Sequence, residues 1–277
     1  MRWLALISAF LFSVACDDTE LYVAPEPIDS GVFADASSPD PDAGLVDAGF
    51  IMDASQPPEK AQEPIYIHTG DTLYSYEIEN NRAVEIGQFR DRDGPLEGIV
   101  DIAIDLDGKM FGGTRDKKIY LINASTGYCE YRFSFDDILH GLTFLSDGSL
   151  VVAGERVSII NPTTGELQLE IAAAQEYETS GDIVGLPDGM LYWTVRNNNN
   201  NQAGDGVVRI SPISGRIDWI GEASVQQIYG LGYAEDRLYG FSDDGIVVTI
   251  DPQSGRVLNQ QMLSGRWWGA TTNPVFW

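Results

Sequence analysis

A short phrase that closes a run of β-branched residues occurs four times in this chain, and it constrains the fold more than any other feature of the sequence. Each copy begins with Ile and reaches Gly five residues later, and the four glycines lie 38, 50 and 40 residues apart. β-Branched runs favour strands, and glycine readily adopts the positive φ of a tight turn. Each phrase therefore predicts a hairpin between two antiparallel strands. The copies begin at Ile122, Ile160, Ile210 and Ile250.

A second series of turns has nearly the same period, with spacings of 40, 41 and 48 residues. Its members are Asp107-Gly108, Asp147-Gly148, Asp188-Gly189 and Asp236-Arg237. A repeat of about 40 residues with four short strands in each unit is typical of a β-propeller blade. The units resemble the repeats of PQQ-like and YVTN-type β-propeller proteins. That resemblance implies an all-β propeller and says little about activity.

The first unit is incomplete. Residues 64–89 supply only the outer strands of a blade, whereas residues 266–277 begin like an innermost strand, with Gly269-Ala270 at the place of Gly141-Leu142. A C-terminal strand that completes the first blade would remove an open sheet edge. The sequence therefore predicts a five-bladed β-propeller closed in this way. The predicted blades are 64–89 with 266–277, 99–135, 138–173, 179–223 and 227–263.

The N-terminus has the composition of an export signal. Arg2 supplies a positive charge, and Leu4 to Ala15 form an apolar run of twelve residues, which is too short to span a bilayer. The small residues before Cys16 resemble the cleavage site of bacterial lipoprotein signals. The resemblance implies a signal peptide at 1–15 and lipidation of Cys16; the alternative is an ordinary cleaved signal. A lipidated Cys16 leaves Cys129 without a disulfide partner, and Cys129 is predicted to be a small buried residue.

Residues 16–63 differ in composition from the rest of the chain. From Asp17 to Glu63 the sequence contains twelve acidic residues, six prolines and one basic residue. Such a segment buries too little apolar surface to offset the entropy of ordering it. We predict a disordered Asp/Ala/Pro/Gly linker that precedes the propeller at 64–277. Its DAG units resemble the linkers of Gram-negative surface lipoproteins, which implies a lipid-anchored protein of the cell envelope, on the periplasmic or surface face of the outer membrane.

The whole chain of 277 residues has a formal net charge of −25. An acidic surface repels phosphate backbones, so nucleic acid is not expected as a partner. The expected partners are the membrane, reached through the N-terminal lipid, and an unidentified protein, polar small molecule or carbohydrate. The chain is expected to be a monomer.

The strand register brings polar and aromatic residues to one opening of the predicted channel, where propellers bind most of their ligands. Two carboxylates and an imidazole at this opening could bind a metal ion or share a proton. Alternatively, the aspartates hydrogen-bond to backbone N–H groups across the channel. No metal ligand and no catalytic residue is assigned. The candidate ligand-binding residues are Asp101, His140, Asp182, Tyr229 and Trp268.

Two other polar features have structural and functional interpretations. His68 falls in the second strand of the first blade and is interpreted as a strand histidine with its hydrogen bonds satisfied. The loop Arg196 to Gly206 contains five consecutive asparagines. It is either a flexible lid over a polar ligand such as a sugar or a solvated insertion in the fourth blade.

The motif content favours a binding or scaffold module over an enzyme. The sequence contains no phosphate-binding glycine loop, HExxH, CxxC or GxSxG. It also lacks the eight blades and recurrent tryptophan motif of quinoprotein dehydrogenases, so no cofactor is expected. The alternative is a propeller hydrolase, lyase or cyclotransferase that uses His140 and the channel-mouth carboxylates. A glycosidase needs two carboxylates across a pocket, for which Asp101 and Asp182 are the candidate pair.

Overall fold

The computed structural model describes residues 65–173, 177–196 and 204–276. All of them belong to the unit Pro58–Trp277. The predicted signal peptide, Cys16 and the linker at 16–63 lie outside these ranges, and so does most of the asparagine-rich loop. Within the described ranges, no helix is long and apolar enough to cross a membrane.

The described chain folds into five four-stranded antiparallel sheets and one small hairpin, and the predicted five-bladed propeller is confirmed. Blade 1 contains β1 (Ile65–His68), β2 (Thr72–Glu77) and β3 (Arg82–Gln88), and the hairpin of β4 (Arg90–Asp91) and β5 (Gly94–Pro95) follows it. Blade 2 contains β6 (Ile99–Ile104), β7 (Met110–Thr114), β8 (Lys118–Ile122) and β9 (Cys129–Ser134). Blade 3 contains β10 (Gly141–Phe144), β11 (Leu150–Ala153), β12 (Arg156–Ile160) and β13 (Leu167–Ala173).

The remaining strands complete the ring. Blade 4 contains β14 (Thr179–Gly185), β15 (Leu191–Val195), β16 (Gly206–Ile210) and β17 (Ile217–Glu222). Blade 5 contains β18 (Ile228–Ala234), β19 (Arg237–Ser242), β20 (Ile246–Ile250) and β21 (Val257–Met262). The described chain ends with β22 (Gly269–Thr271) and a 3-10 helix (Pro274–Phe276).

The C-terminal strand closes the ring, as the sequence predicts. β22 pairs antiparallel with β1 and becomes the innermost strand of blade 1, in the register Tyr66↔Thr271, Ile67↔Ala270 and His68↔Gly269. The five innermost strands are then β22, β6, β10, β14 and β18, and each contacts the next around the channel.

All four closing phrases form the same turn. In each, the glycine has a φ between 65° and 77°, and its N–H donates to the carbonyl four residues earlier at 2.8–2.9 Å. A side chain at these glycines would also collide with the outermost strand of the preceding blade. Glycine is therefore required by the turn and by the packing of one blade against the next. The four residues are Gly127, Gly165, Gly215 and Gly255.

The apolar core lies between neighbouring blades. Every residue of β15 is buried, as expected for a strand whose sheet packs between two others, whereas most of the outermost strand β21 is exposed. Cys129 belongs to this core, and its Sγ donates to the carbonyl of Gly127 at 3.3 Å. Burial raises the pKa of the Cys129 thiol to about 12, so the thiol is unreactive in the folded protein.

Removal of the closing strand tests the role of β22. A chain that ends at Trp268 would leave β1 as an open inner edge, and we expect it to lose more than about 3 kcal/mol of unfolding free energy or its cooperative transition. Urea unfolding followed by circular dichroism measures this loss. A chain that ends at Asn273 retains β22 and serves as the control. Equal unfolding midpoints for the two truncated chains would contradict the role of β22.

Candidate functional site

At one level of the channel, the five innermost strands carry two aspartates and three glycines. A side chain at any of the three glycines would collide with a neighbouring inner strand or with polar groups beside it. Asp101 Oδ1 occupies space beside Gly269 that a side chain at that position would need. The five residues, one from each blade, are Asp101, Gly141, Asp182, Gly230 and Gly269.

The two aspartates accept hydrogen bonds from blades other than their own. Asp101 Oδ2 accepts from the N–H of Leu142 at 2.5 Å, and Asp182 Oδ2 accepts from the N–H of Leu231 at 2.5 Å. Asp182 Oδ1 also accepts from the N–H of Ile183 at 2.6 Å. The N–H groups of two further inner strands, at Ile102 and Ala270, interact with Asp101 and Asp182 respectively. Two carboxyl groups therefore serve N–H donors from all five blades.

Burial changes the protonation of this pair. Both side chains are wholly buried, and burial raises the pKa of each; the nearby charge of Asp182 raises the pKa of Asp101 further. The two carboxyl groups also hydrogen-bond to each other. Two adjacent buried carboxyls cannot both ionise at low cost, so the pair retains a shared proton well above the ordinary carboxyl range.

His68 is the third ionisable group of this region. Its Nδ1 lies 2.6 Å from the carbonyl of Thr69, and because a carbonyl only accepts, Nδ1 carries the proton and Nε2 a lone pair. Nε2 and Asp101 Oδ1 have no hydrogen-bond partner among the described residues, and both atoms lie beside Gly269. Burial lowers the pKa of His68 to about 4. The expectation of a fully satisfied strand histidine is therefore wrong at Nε2.

We call His68, Asp101 and Asp182 the channel cluster. All three are 0% exposed; the two aspartates bridge blades through their hydrogen bonds, and His68 bonds to the neighbouring Thr69. Among the described residues, no group of three or more His, Cys, Asp or Glu side chains is arranged to hold a metal ion.

A cavity of about 880 Å³ opens at the end of the channel where the innermost strands begin. Its wall includes Val100 and Ser180, which precede Asp101 and Asp182 by one and two residues. The channel cluster therefore lies just inside the cavity wall. The rim is formed by residues that follow the second strands of blades 2 to 5, with Trp268 from blade 1; these residues are Arg115, Lys117, Glu155, Arg196 and Asp243.

The five candidate residues from the sequence divide between the cavity and the channel. His140, Tyr229 and Trp268 line the cavity, with His140 exposed and the other two half-buried. Asp101 and Asp182 lie deeper and do not line it. The register thus places all five near one end of the channel, but at two different depths.

Of the four basic side chains in the cavity lining, the sequence analysis named Arg196, as the first residue of the asparagine-rich loop, and missed the other three. They lie on loops, where strand periodicity gives no signal; their position just after a second strand or just before an innermost one was the available clue. Arg266 donates to Asp243 through Nε at 3.0 Å and Nη2 at 2.5 Å. The four are Arg115, Lys117, Arg196 and Arg266.

These cations make the mouth locally positive. Protein atoms around His140 partly displace water from its ring and lower its pKa, and the charges of Arg196 and Arg115 lower the pKa further. The negative charge of Glu155 raises the pKa of the same ring. Together, these charges lower the pKa of His140, so the cavity mouth disfavours an additional positive charge at this position.

Asp205 anchors the returning end of the asparagine-rich loop. Its Oδ2 accepts from Ser180 Oγ at 2.5 Å and from the N–H of Ile228 at 2.8 Å. Burial raises the pKa of Asp205, and these hydrogen bonds partly offset that increase. Arg196, at the other end of the loop, lines the cavity. The lid hypothesis concerns residues between these anchors, which lie outside the described ranges.

Comparisons with known proteins bear on the fold. No family model and no curated protein matches this chain. The solved "Crystal structure of Nidogen/Laminin Complex" contains a chain 12% identical to this one, with a TM-score of 0.51, covering 76% of this chain and 97% of that chain. The crystal structure of BamB from Moraxella catarrhalis is 14% identical, with a TM-score of 0.38, covering 74% and 72%. The TM-score of 0.51 to the first structure shows a shared fold, and at 12% identity the comparison shows no more.

The channel cluster predicts opposite pH effects for two substitutions. Unfolded His68 protonates below about pH 6.5 whereas folded His68 stays neutral, so its contribution to stability is lost as the pH falls. The buried carboxyls hold protons that the unfolded chain releases above about pH 4, so their contribution is lost as the pH rises. Relative to the unsubstituted chain, Asp182→Asn should lose stability towards pH 4, and His68→Gln should lose it towards pH 7.

Urea unfolding between pH 4 and pH 7 measures both slopes. For one proton, each substitution should change the slope of unfolding free energy against pH by at most about 1.4 kcal/mol per pH unit. Surface groups titrate equally in all three proteins, so only the difference from the unsubstituted chain is compared. Parallel stability curves for the three proteins would show that the cluster does not titrate as described.

Proposed function

We propose that this chain is a tethered binding module of the cell envelope, and that its propeller holds a polar ligand in the cavity at the mouth of the channel. The observation that carries the proposal is the cavity itself: about 880 Å³, with residues from all five blades in its wall. Ligand sites of this kind have a volume of roughly 300–1,000 Å³ and a few placed polar groups. A site assembled from five blades depends on the whole ring.

The side chains of the rim are suited to contact rather than to packing. His140 and Arg115 are exposed, and Trp268 and Tyr229 are half-buried with part of each ring towards the cavity. Aromatic rings offer a large contact area at a low entropic cost, and the basic groups supply directed hydrogen bonds. The channel cluster beneath holds the strands that carry these side chains in fixed positions.

The tether is the second part of the proposal. The export signal, Cys16 and the acidic segment at 16–63 support a lipid anchor with a self-repelling spacer in front of the propeller. The similarity of the turns to PQQ-like propeller repeats supports the same assignment, because such repeats are common in secreted proteins. We therefore propose a location in a Gram-negative cell envelope.

The geometry gives the enzymatic alternative less support. Asp101 and Asp182 are enclosed and hydrogen-bonded to each other, whereas a glycosidase holds its two carboxyls roughly 5–9.5 Å apart on either side of the substrate. His140 is the most exposed titratable group among the five candidate residues, and the half-buried Tyr229 also lines the cavity. No described observation favours a reaction over binding.

A bulky side chain placed in the cavity tests whether the ligand binds there. His140→Trp adds bulk at an exposed rim position without disturbing the core, and Gln260→Trp adds the same bulk on the exposed outer strand β21 as a control. We expect the full-length chain to bind members of an array of neutral and acidic oligosaccharides. We expect His140→Trp to weaken that binding at least about tenfold, and Gln260→Trp to leave it unchanged.

Two results would refute the proposed function. Binding that survives His140→Trp would place the site elsewhere, and an array without any bound saccharide would remove the case for a polar ligand in this cavity. Circular dichroism of both variants establishes that they are folded.

A further inference from the structure

We infer that the cavity selects a saccharide that carries carboxylate groups, and that Arg115 receives one of these carboxylates. The inference rests on the proposed function and specifies its ligand. It follows from the distribution of charge, from the state of each basic group and from the aromatic surfaces of the cavity.

The basic residues of an acidic protein are concentrated at this cavity. Two of the 17 Lys and Arg residues, Arg2 and Lys60, lie outside the described ranges, and four of the remaining fifteen line this single cavity. The same lining contains three carboxylates, so its net charge is positive in a chain of net charge −25. A positive site within a negative surface favours an anionic ligand there. The three carboxylates are Glu155, Glu178 and Asp243.

Most of these cations already have a carboxylate partner. Arg266 is held by two hydrogen bonds to Asp243, whose side chain is largely buried. Arg196 lies 4.0 Å from Glu178, and Lys117 lies 3.5 Å from an exposed aspartate. These ion pairs neutralise part of the positive charge of the lining, and one basic group has no such ion pair among the described residues.

Arg115 is that group. Among the described residues, no carboxylate lies within ion-pair distance of it, and its guanidinium carbon lies 4.8 Å from the ring centroid of Trp268. Stacking uses the face of the guanidinium and leaves its in-plane N–H donors available. The Trp268 ring packs closely against Gly70, which limits its movement. The guanidinium of Arg115 is thus held in place with N–H donors that can bind a carboxylate through two parallel hydrogen bonds.

The aromatic surfaces favour a saccharide over a simple anion. Tyr177, Tyr229 and Trp268 line the cavity together with the basic groups. An inorganic anion would use Arg115 alone and leave these rings and most of the volume without contact. A ring-shaped polar ligand with an attached carboxylate uses both features.

Glu155 favours a carboxylate over a phosphate monoester. No ion pair of Glu155 exists among the described residues, and its charge acts on His140 in the same cavity. A ligand group with one negative charge meets less repulsion from Glu155 than one with two. The chemistry of the site therefore points to uronate-type sugars.

Isothermal titration calorimetry on the full-length chain tests the inference with two probes that share one sugar backbone. The probes are trigalacturonate and its methyl ester, in which neutral methyl ester groups replace the carboxylates. We expect trigalacturonate to bind at least about tenfold more tightly at low ionic strength. Arg115→Gln should remove this preference, Arg115→Lys should restore it in part, and Arg92→Gln, at a highly exposed position outside the cavity lining, should leave it intact.

The outcomes separate this inference from the proposed function. Equal affinity for the two probes, lost in His140→Trp, overturns the inference and leaves the binding cavity in place. Binding of either probe that persists in His140→Trp overturns both. If neither probe binds, the inference fails, and the proposed function fails with it unless another array saccharide binds in a way that His140→Trp abolishes.

Discussion

The fold depends on two buried carboxyl groups that hydrogen-bond across the channel. The innermost strand of each blade has no further strand beside it, so its inward N–H groups would be unpaired at the axis. A buried N–H without a partner costs about 1–3 kcal/mol. Asp101 and Asp182 accept from Leu142 and Leu231 of other blades, and they share a proton with each other. Five sheets thereby meet around one polar centre.

The same strands connect this centre to the cavity. Val100 lines the cavity and the next residue, Asp101, belongs to the channel cluster; Tyr229 lines the cavity and Leu231 donates to Asp182. A side chain of the rim is therefore one or two residues from a fixed hydrogen bond. The basic groups are placed differently, because loops carry them and ion pairs or an aromatic ring hold them. A rigid strand framework with adaptable loop side chains suits selective binding.

Strand periodicity predicted the architecture well and the chemistry of the site less well. The recurring glycine turns predicted five blades, and the incomplete first unit predicted the closing role of Gly269 and the residues after it. Register also identified Asp101 and Asp182 as channel residues, but it could not give their depth, which depends on how closely five strands approach. Nor could it predict that His68 and Asp101 would both lie beside Gly269, or that Arg115 would lie over Trp268, because side-chain geometry brings together residues that are far apart in sequence.

The pairing of β22 with β1 also sets the order in which the molecule can mature. The first strand made on the ribosome receives its inner neighbour only from the last dozen residues, about 200 positions later. Until those residues arrive, blade 1 has a bare edge and Gly269 is absent from beside His68 and Asp101. Ring closure therefore waits until β22 has been synthesised, and only then can five blades surround the axis.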